Sequence, residues 1–171
     1  SATRAALGLG AEVKVFDVSL SRLSRLKNNI NHHGLFTSLI QQDELAKRLA
    51  QADVVIGALR SPEGRTPCVV TDHMVTDMKY GSVIVDVSID QGGCFETSRV
   101  TNHINPTFVK HGVVHYCVPN IASRVPRTAS FALSNIFSPI LMDMGESGGC
   151  LDLIRNDHGF RSGVYIYKGI L

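Results

Sequence analysis

No stretch of the sequence approaches the roughly 18 uninterrupted apolar residues that a membrane-spanning helix needs. The amino terminus also lacks the charged-then-apolar pattern of a signal peptide, so the expectation is a cytoplasmic protein with no membrane partner. An excess of charge is missing too. The formal net charge is +2, with lysines and arginines scattered along the chain, which argues against nucleic acid as the main partner. Cysteine is sparse: Cys68, Cys94, Cys117 and Cys150 stand far apart with no metal-spaced pair. They read as free thiols of a reducing compartment, and no metal site is expected. Internal repeats and low-complexity segments are absent.

A less obvious gap lies at the start of the chain. Gly8 and Gly10 precede an extended run, Val13 to Phe16, that ends in Asp17. A dinucleotide-binding fingerprint has the opposite order: its glycines follow a strand and open a helix, with an acid about 20 residues further on for the ribose hydroxyls. Here the glycines read as the stop of a helix containing Ala5, Ala6 and Leu7. Asp17 nonetheless ends a short apolar strand, where the ribose-binding carboxylate belongs. The expectation is a Rossmann-like unit entered inside its first helix, with the first strand and the glycine loop not included.

Beyond Asp17, helix and strand signals alternate. Ser19 can cap a helix carrying Leu20, Leu23, Leu26 and Ile30 at three- and four-residue spacing. Leu35 to Leu39 is a short strand, and Glu44 to Gln51 gives an amphipathic turn or two. Asp53 to Gly57, Ser82 to Val87 and Val113 to Cys117 are apolar runs of the kind buried on both faces of a parallel sheet. Ser61 to Thr66 reads as a polar loop and Thr71 to Met78 as a short helix. This order predicts an α/β fold, an open Rossmann-like parallel sheet. Thr128 to Met144 contains no glycine and predicts one long helix, with Pro139 a point of kinking. The expected division is a nucleotide-binding part over 1–126 and an inter-domain helix with a C-terminal segment over 127–171. Leu151 to Leu171 is too short to fold alone and is expected to pack on another domain.

The segment from Val83 to Ser98 carries the most chemistry. An apolar strand runs into Asp86 and then Asp90, Gln91, Gly92 and Gly93. Asp90 therefore lies beyond a strand's carboxyl end, the edge at which open α/β sheets bind ligands. The glycines would let backbone approach a flat ring or a second domain. On local pattern alone an equal reading is that Asp90 caps a turn and the glycines make it.

The whole string resembles alanine dehydrogenase, which carries V-D-x-x-I-D-Q-G-G-C-F-E-x-S at the nicotinamide end of its cofactor site. Gly8 to Ala11, Ala52 to Ala58, Pro106 to Phe108, Tyr116 to Asn120 and Val125 to Ser130 match in the same order, covering nearly all of the chain. Proton-translocating transhydrogenase shares the fold but has an alanine- and glycine-containing turn after its acid. The resemblance implies reversible conversion of L-alanine, NAD and water to pyruvate, ammonium and NADH. It implies Asp17 on the adenosine ribose, with Arg22 beside it, and Ala58 and Leu59 against the cofactor. It also implies Val87, Ile89 and Asp90 at the nicotinamide and its ribose, Arg99 near the dinucleotide, and Val118, Asn120 and Ile121 on the other side. Asp90 would be the catalytic residue of this stretch. Arg60-Ser61 and Ile121 depart from the family's usual residues. A homo-oligomer, commonly a hexamer, is implied as well.

Imine hydrolysis in such a reaction needs a base near neutral pH, for which histidine is the usual choice. His32, His33, His73, His103, His111 and His158 fall in helices, loops or surface turns, and His115, inside a strand, reads as a core histidine. None matches the family's catalytic histidine, which belongs to an N-terminal substrate domain together with a lysine and an arginine. The rival reading is a non-catalytic module that binds NAD or ATP and switches a partner. The strand ending in Asp17 and the basic helix with Arg22, Arg25 and Lys27 suit it equally; Asp90 to Gly93 does not.

Overall fold

Each local signal of the first 60 residues produces the element it predicts. The structure, a computed structural model, describes residues 1–61 and 64–170. Helix α1 (Ala2–Gly8) stops where Gly10 turns to φ +83°, and its last carbonyls accept the N–H groups of Gly10 and Ala11. Strand β1 (Val13–Asp17) comes after this turn. Ser19 caps α2 (Leu20–Asn29), its hydroxyl accepting the Arg22 N–H at 3.4 Å. Strand β2 (Leu35–Leu39), helix α3 (Gln42–Leu49) and strand β3 (Val54–Gly57) come next. Part of the polar loop expected at 61–66, Pro62 and Glu63, lies outside the described residues. Helix α4 (Asp72–Thr76) and strands β4 (Val83–Asp86), β5 (Thr107–Lys110) and β6 (Val113–Tyr116) complete the first unit.

The strands form two sheets. β1 and β2 pair in parallel, with Asp17 opposite Leu39. The other sheet has the order β3-β4-β6-β5, with β3, β4 and β6 parallel. Two features depart from the sequence reading. β5 is antiparallel, joined to β6 through His111 and Gly112 at φ +54° and +75°. Two successive positive φ values give the turn whose twist matches a hairpin, so the chain reverses rather than crossing over. Second, β3 is not buried on both faces. Val54 is 58% and Ile56 48% exposed, because β3 pairs on one side only and one of its faces is open among the described residues.

The covered face holds the core: Leu45 and Leu49 of α3, Val70, Val75, Met78, Ile84, Cys94, Phe95 and Val113, with Phe16 of β1 packed against them. His115 lies within this buried layer, as its position in the strand predicted. Its Nδ1 is 3.0 Å from the Val113 carbonyl and therefore carries the proton. Its Nε2 then accepts the Thr97 hydroxyl at 2.8 Å. Burial, reinforced by the charges of Lys110, His111 and Arg99, pushes this imidazole below its usual pKa of 6.5. The folded state thus stays unprotonated where the unfolded state takes up a proton, so stability present above pH 6.5 is lost as pH falls below it. Urea melts at pH 7.5 and 5.5 should show this decline. His115→Gln should flatten it; an unchanged slope in the variant would remove His115 as the cause.

The chain divides into two compact units, Ser1–Pro119 and Asn120–Leu171. The break comes ahead of the expected 126/127 division because a 3-10 turn, Ile121–Arg124, packs with the helix that follows it. That helix, α5 (Pro126–Glu146), runs without interruption through Pro139. Two short helices, α6 (Cys150–Asn156) and α7 (His158–Ser162), come after it. No described helix is long and apolar enough to cross a membrane.

Candidate functional site

The carboxyl ends of β3, β4 and β6 lie side by side, since the three strands are adjacent and parallel. β4 leaves this edge through a 3-10 turn, Val87–Gln91, and the group that shapes the turn is Asp86. Its carboxylate is 2% exposed. Oδ1 accepts the Ser88 N–H at 3.0 Å, and Oδ2 accepts the Cys94 N–H at 3.1 Å and the Ser98 hydroxyl at 2.7 Å. Among the described residues no cation pairs with it, and a buried carboxylate is then tolerable only when donors satisfy it in this way. Gly93 sits at φ +77°, and a Cβ there would stand 2.6 Å from Asp86 Oδ2. The second glycine of the pair is thus required by the approach of the Asp86 carboxylate. On β3, a Cβ at Gly57 would collide with Cys94 Sγ and the Phe95 ring, so that loop closes directly onto the strand.

Further bonds fix the neighbourhood. The Ser88 hydroxyl donates to the Leu59 carbonyl at 2.8 Å, joining the exit of β3 to the turn after β4. The Thr66 N–H donates to the Gln91 carbonyl at 2.8 Å. Glu96 accepts the Asp72 N–H at 2.7 Å, so this acid of the motif serves the start of α4. The Cys94 thiol is pushed up to about 12 by burial and by the adjacent Asp86 charge, which makes it an inert packing group rather than a nucleophile. All four cysteines are free.

On this scaffold Asp90 is exposed at the fourth position of the turn. Val87 is partly exposed and Ala58 exposed, so both present side chains at the edge. Ile89 and Val118 do not: both side chains are buried, and only their backbone could meet a ligand there. Arg99 comes directly after Ser98 and lies exposed, its guanidinium 4.2 Å from the centroid of the Phe108 ring. Asn120 and Ile121 belong to the second unit, where Asn120 adopts a left-handed conformation at the start of the 3-10 turn.

Asp17 ends β1 in the two-stranded sheet. Its Oδ1 accepts the Ser19 N–H at 2.8 Å, which fixes the carboxylate plane, and Oδ2 stands 3.9 Å from Arg22 Nη1. An oriented acceptor with a nearby cation can hold a vicinal diol and can discriminate by charge. Ser38 of β2 is the cross-strand partner of Phe16, one position before Asp17. A cleft of about 400 Å³ lies beside these strands and α3 and includes none of the predicted site residues. Its charged lining is internally paired, Lys14 with Glu12 at 3.2 Å and Arg48 with Glu44 at 2.6 Å, so it offers no net charge to a ligand. Among the described residues no cluster of three or more histidine, cysteine or acidic side chains could hold a metal ion.

Sequence reasoning passes over Asp86. The signal is nonetheless there: an acid closes an apolar strand, four residues before a second acid.

Comparison with known proteins extends over the whole chain. The family described as "Alanine dehydrogenase/PNT, C-terminal domain" matches residues 1–171. The alanine dehydrogenase of Halomonas elongata is 43% identical over 171 residues, 100% of this chain and 46% of that protein. A solved L-alanine dehydrogenase superimposes with a TM-score of 0.90 at 38% identity, covering 99% of this chain and 46% of that one. A transhydrogenase from Sinorhizobium meliloti gives 0.71 at 28% identity over 84% of this chain and 40% of that one. The chain thus spans somewhat under half the length of the relatives it matches.

Proposed function

The chain belongs to the alanine dehydrogenase/PNT C-terminal domain family, and on that premise we propose that it is the NAD-binding part of an alanine dehydrogenase. The reaction is L-alanine, NAD and water to pyruvate, ammonium, NADH and a proton, run in either direction. The observation that carries this reading is the exposed Asp90 beside the exit of β3, on a turn held by a buried carboxylate, in a chain similar end to end to L-alanine dehydrogenase. Higher identity to that protein than to the transhydrogenase favours deamination over the transhydrogenase alternative.

In this function Asp17 accepts hydrogen bonds from the adenosine ribose, its plane set by Ser19 and its charge tempered by Arg22. Ala58 and Leu59 lie against the cofactor, as do Val87 and the backbone of Ile89. Asp90 serves the nicotinamide end and Arg99 the anionic part, with the backbone of Val118 beside them. NAD, when bound, supplies the hydride acceptor, and these residues hold it in place and exclude water. Val54 and Ile56, exposed on β3, suit cover from the remainder of a longer enzyme. That remainder would contribute the glycine loop and a substrate domain with the histidine base and the groups that hold the substrate carboxylate. A cytoplasmic homo-oligomer, commonly a hexamer in this family, completes the proposal.

The test is cofactor choice. In the native-length protein Asp17→Ala should weaken NAD binding and narrow the preference over NADP by about 1–3 kcal/mol, since the like charge opposing the extra phosphate is gone. Unchanged NAD/NADP ratios of kcat/KM would take Asp17 out of the site.

A further inference from the structure

Arg99 is exposed, yet its guanidinium is not loose. It lies 4.2 Å from the Phe108 ring centroid, and the same ring stacks on the His115 imidazole at 4.8 Å with 17° between planes. Phe108 thus contacts both a buried imidazole and an exposed cation. The imidazole is fully buried and bonded at both nitrogens, Nε2 to the Thr97 hydroxyl and Nδ1 to the Val113 carbonyl. The backbone around Arg99 is held as well. Ser98 donates to Asp86 at 2.7 Å, and the Thr101 N–H donates to the Cys117 carbonyl at 3.0 Å, just past the end of β6. Arg99 therefore hangs at the strand edge that presents Asp90, and among the described residues no carboxylate pairs with it.

A long arginine side chain held against a flat ring has already lost much of the rotamer freedom that binding an anion would otherwise remove. Its N–H groups are not taken up by any carboxylate among the described residues and remain to donate to an anion. We propose that Phe108, backed by His115, is a positioning residue that pre-orients Arg99 for the anionic part of the dinucleotide. This role rests on the proposed NAD binding and adds to it a residue that the cofactor contacts do not include.

The test is NADH fluorescence titration of the native-length protein. Arg99→Ala should weaken binding about tenfold, and Phe108→Leu, which keeps an apolar side chain but loses the flat face, about three- to fivefold. Phe108→Tyr, which keeps the stack, should bind like the unsubstituted protein. Combining Phe108→Leu with Arg99→Ala should add nothing to Arg99→Ala alone, because the two act through one contact. A purely structural Phe108 would give an additive loss, and that result overturns the proposal, as does normal binding by Phe108→Leu. Should Phe108→Leu fail to fold, Arg99→Lys decides: it keeps the charge without the planar group, and undiminished NADH binding would sink the idea. If the unsubstituted protein binds no NADH, the NAD-binding reading itself is what fails.

Discussion

Asp90→Asn in the native-length protein is expected to fold, bind NADH and lose about 10²-fold or more in kcat, the range of a positioned acid–base group. The substitution is nearly isosteric: it removes the charge and turns one acceptor oxygen into an amide NH₂. Asp90 stands exposed on a turn whose shape is set by other groups: the Asp86 carboxylate, the Ser88 hydroxyl on Leu59 and the Thr66 N–H on Gln91. None of these depends on the Asp90 charge for its geometry. At the nicotinamide end a carboxylate can orient the ribose and the attacking water, or stabilise a protonated histidine reaching in from the substrate domain. Each of these roles needs an acceptor whose charge is felt most in the transition state, so the loss should fall on kcat rather than on cofactor affinity. Stopped-flow NADH binding and steady-state deamination together read the two quantities. Near-normal kcat combined with a lowered melting temperature would make Asp90 a turn residue and return the chemistry to groups of the substrate domain.

Much of the fold is legible in the sequence because the signals are local. Gly10 ending α1, Ser19 capping α2, and the apolar runs that become β3, β4 and β6 are each set by a few consecutive residues with one dominant physical preference. Less visible are the features that depend on contacts far along the chain. β5 is antiparallel because of a two-residue turn at His111-Gly112, and that signal is hard to see amid an alternation that suggests crossovers. The apolar run of β3 reads as buried on both faces, but burial is a property of neighbours, and Val54 and Ile56 have too few of them here.

The same division runs through the candidate site. The edge and the acids are readable from strand, acid and glycine order. The reason for Gly93 is not, because the atom it avoids, Asp86 Oδ2, is seven residues away in sequence and reaches it only when the loop is closed. Ile89 and Val118 show the limit of carrying roles over from a resemblance. A position can border a ligand through its backbone while its side chain belongs to the core.

Asp86→Ala should show the opposite pattern to Asp90→Asn: stability and activity should fall together. Removing the carboxylate leaves the N–H groups of Ser88 and Cys94 and the Ser98 hydroxyl without their acceptor. At about 1–3 kcal/mol for each buried unsatisfied donor, partly relieved by water entering the space, the cost should reach about 3–5 kcal/mol. For a chain of this size that is a fall of roughly 10 °C or more in melting temperature. Asp86→Asn keeps one acceptor but turns an amide NH₂ toward donors, so it should lie between the two. Because Asp86 holds both ends of the turn that carries Asp90, the Ala variant should also expose the segment from Ser88 to Ser98 to proteolysis before the rest of the first unit. Melting curves and limited digestion of the three proteins would check this. If Asp86→Ala melts within about 2 °C of the unsubstituted protein and resists cleavage there, the carboxylate is not what shapes the site, and the apolar packing of Cys94 and Phe95 against Gly57 must hold the loop without it.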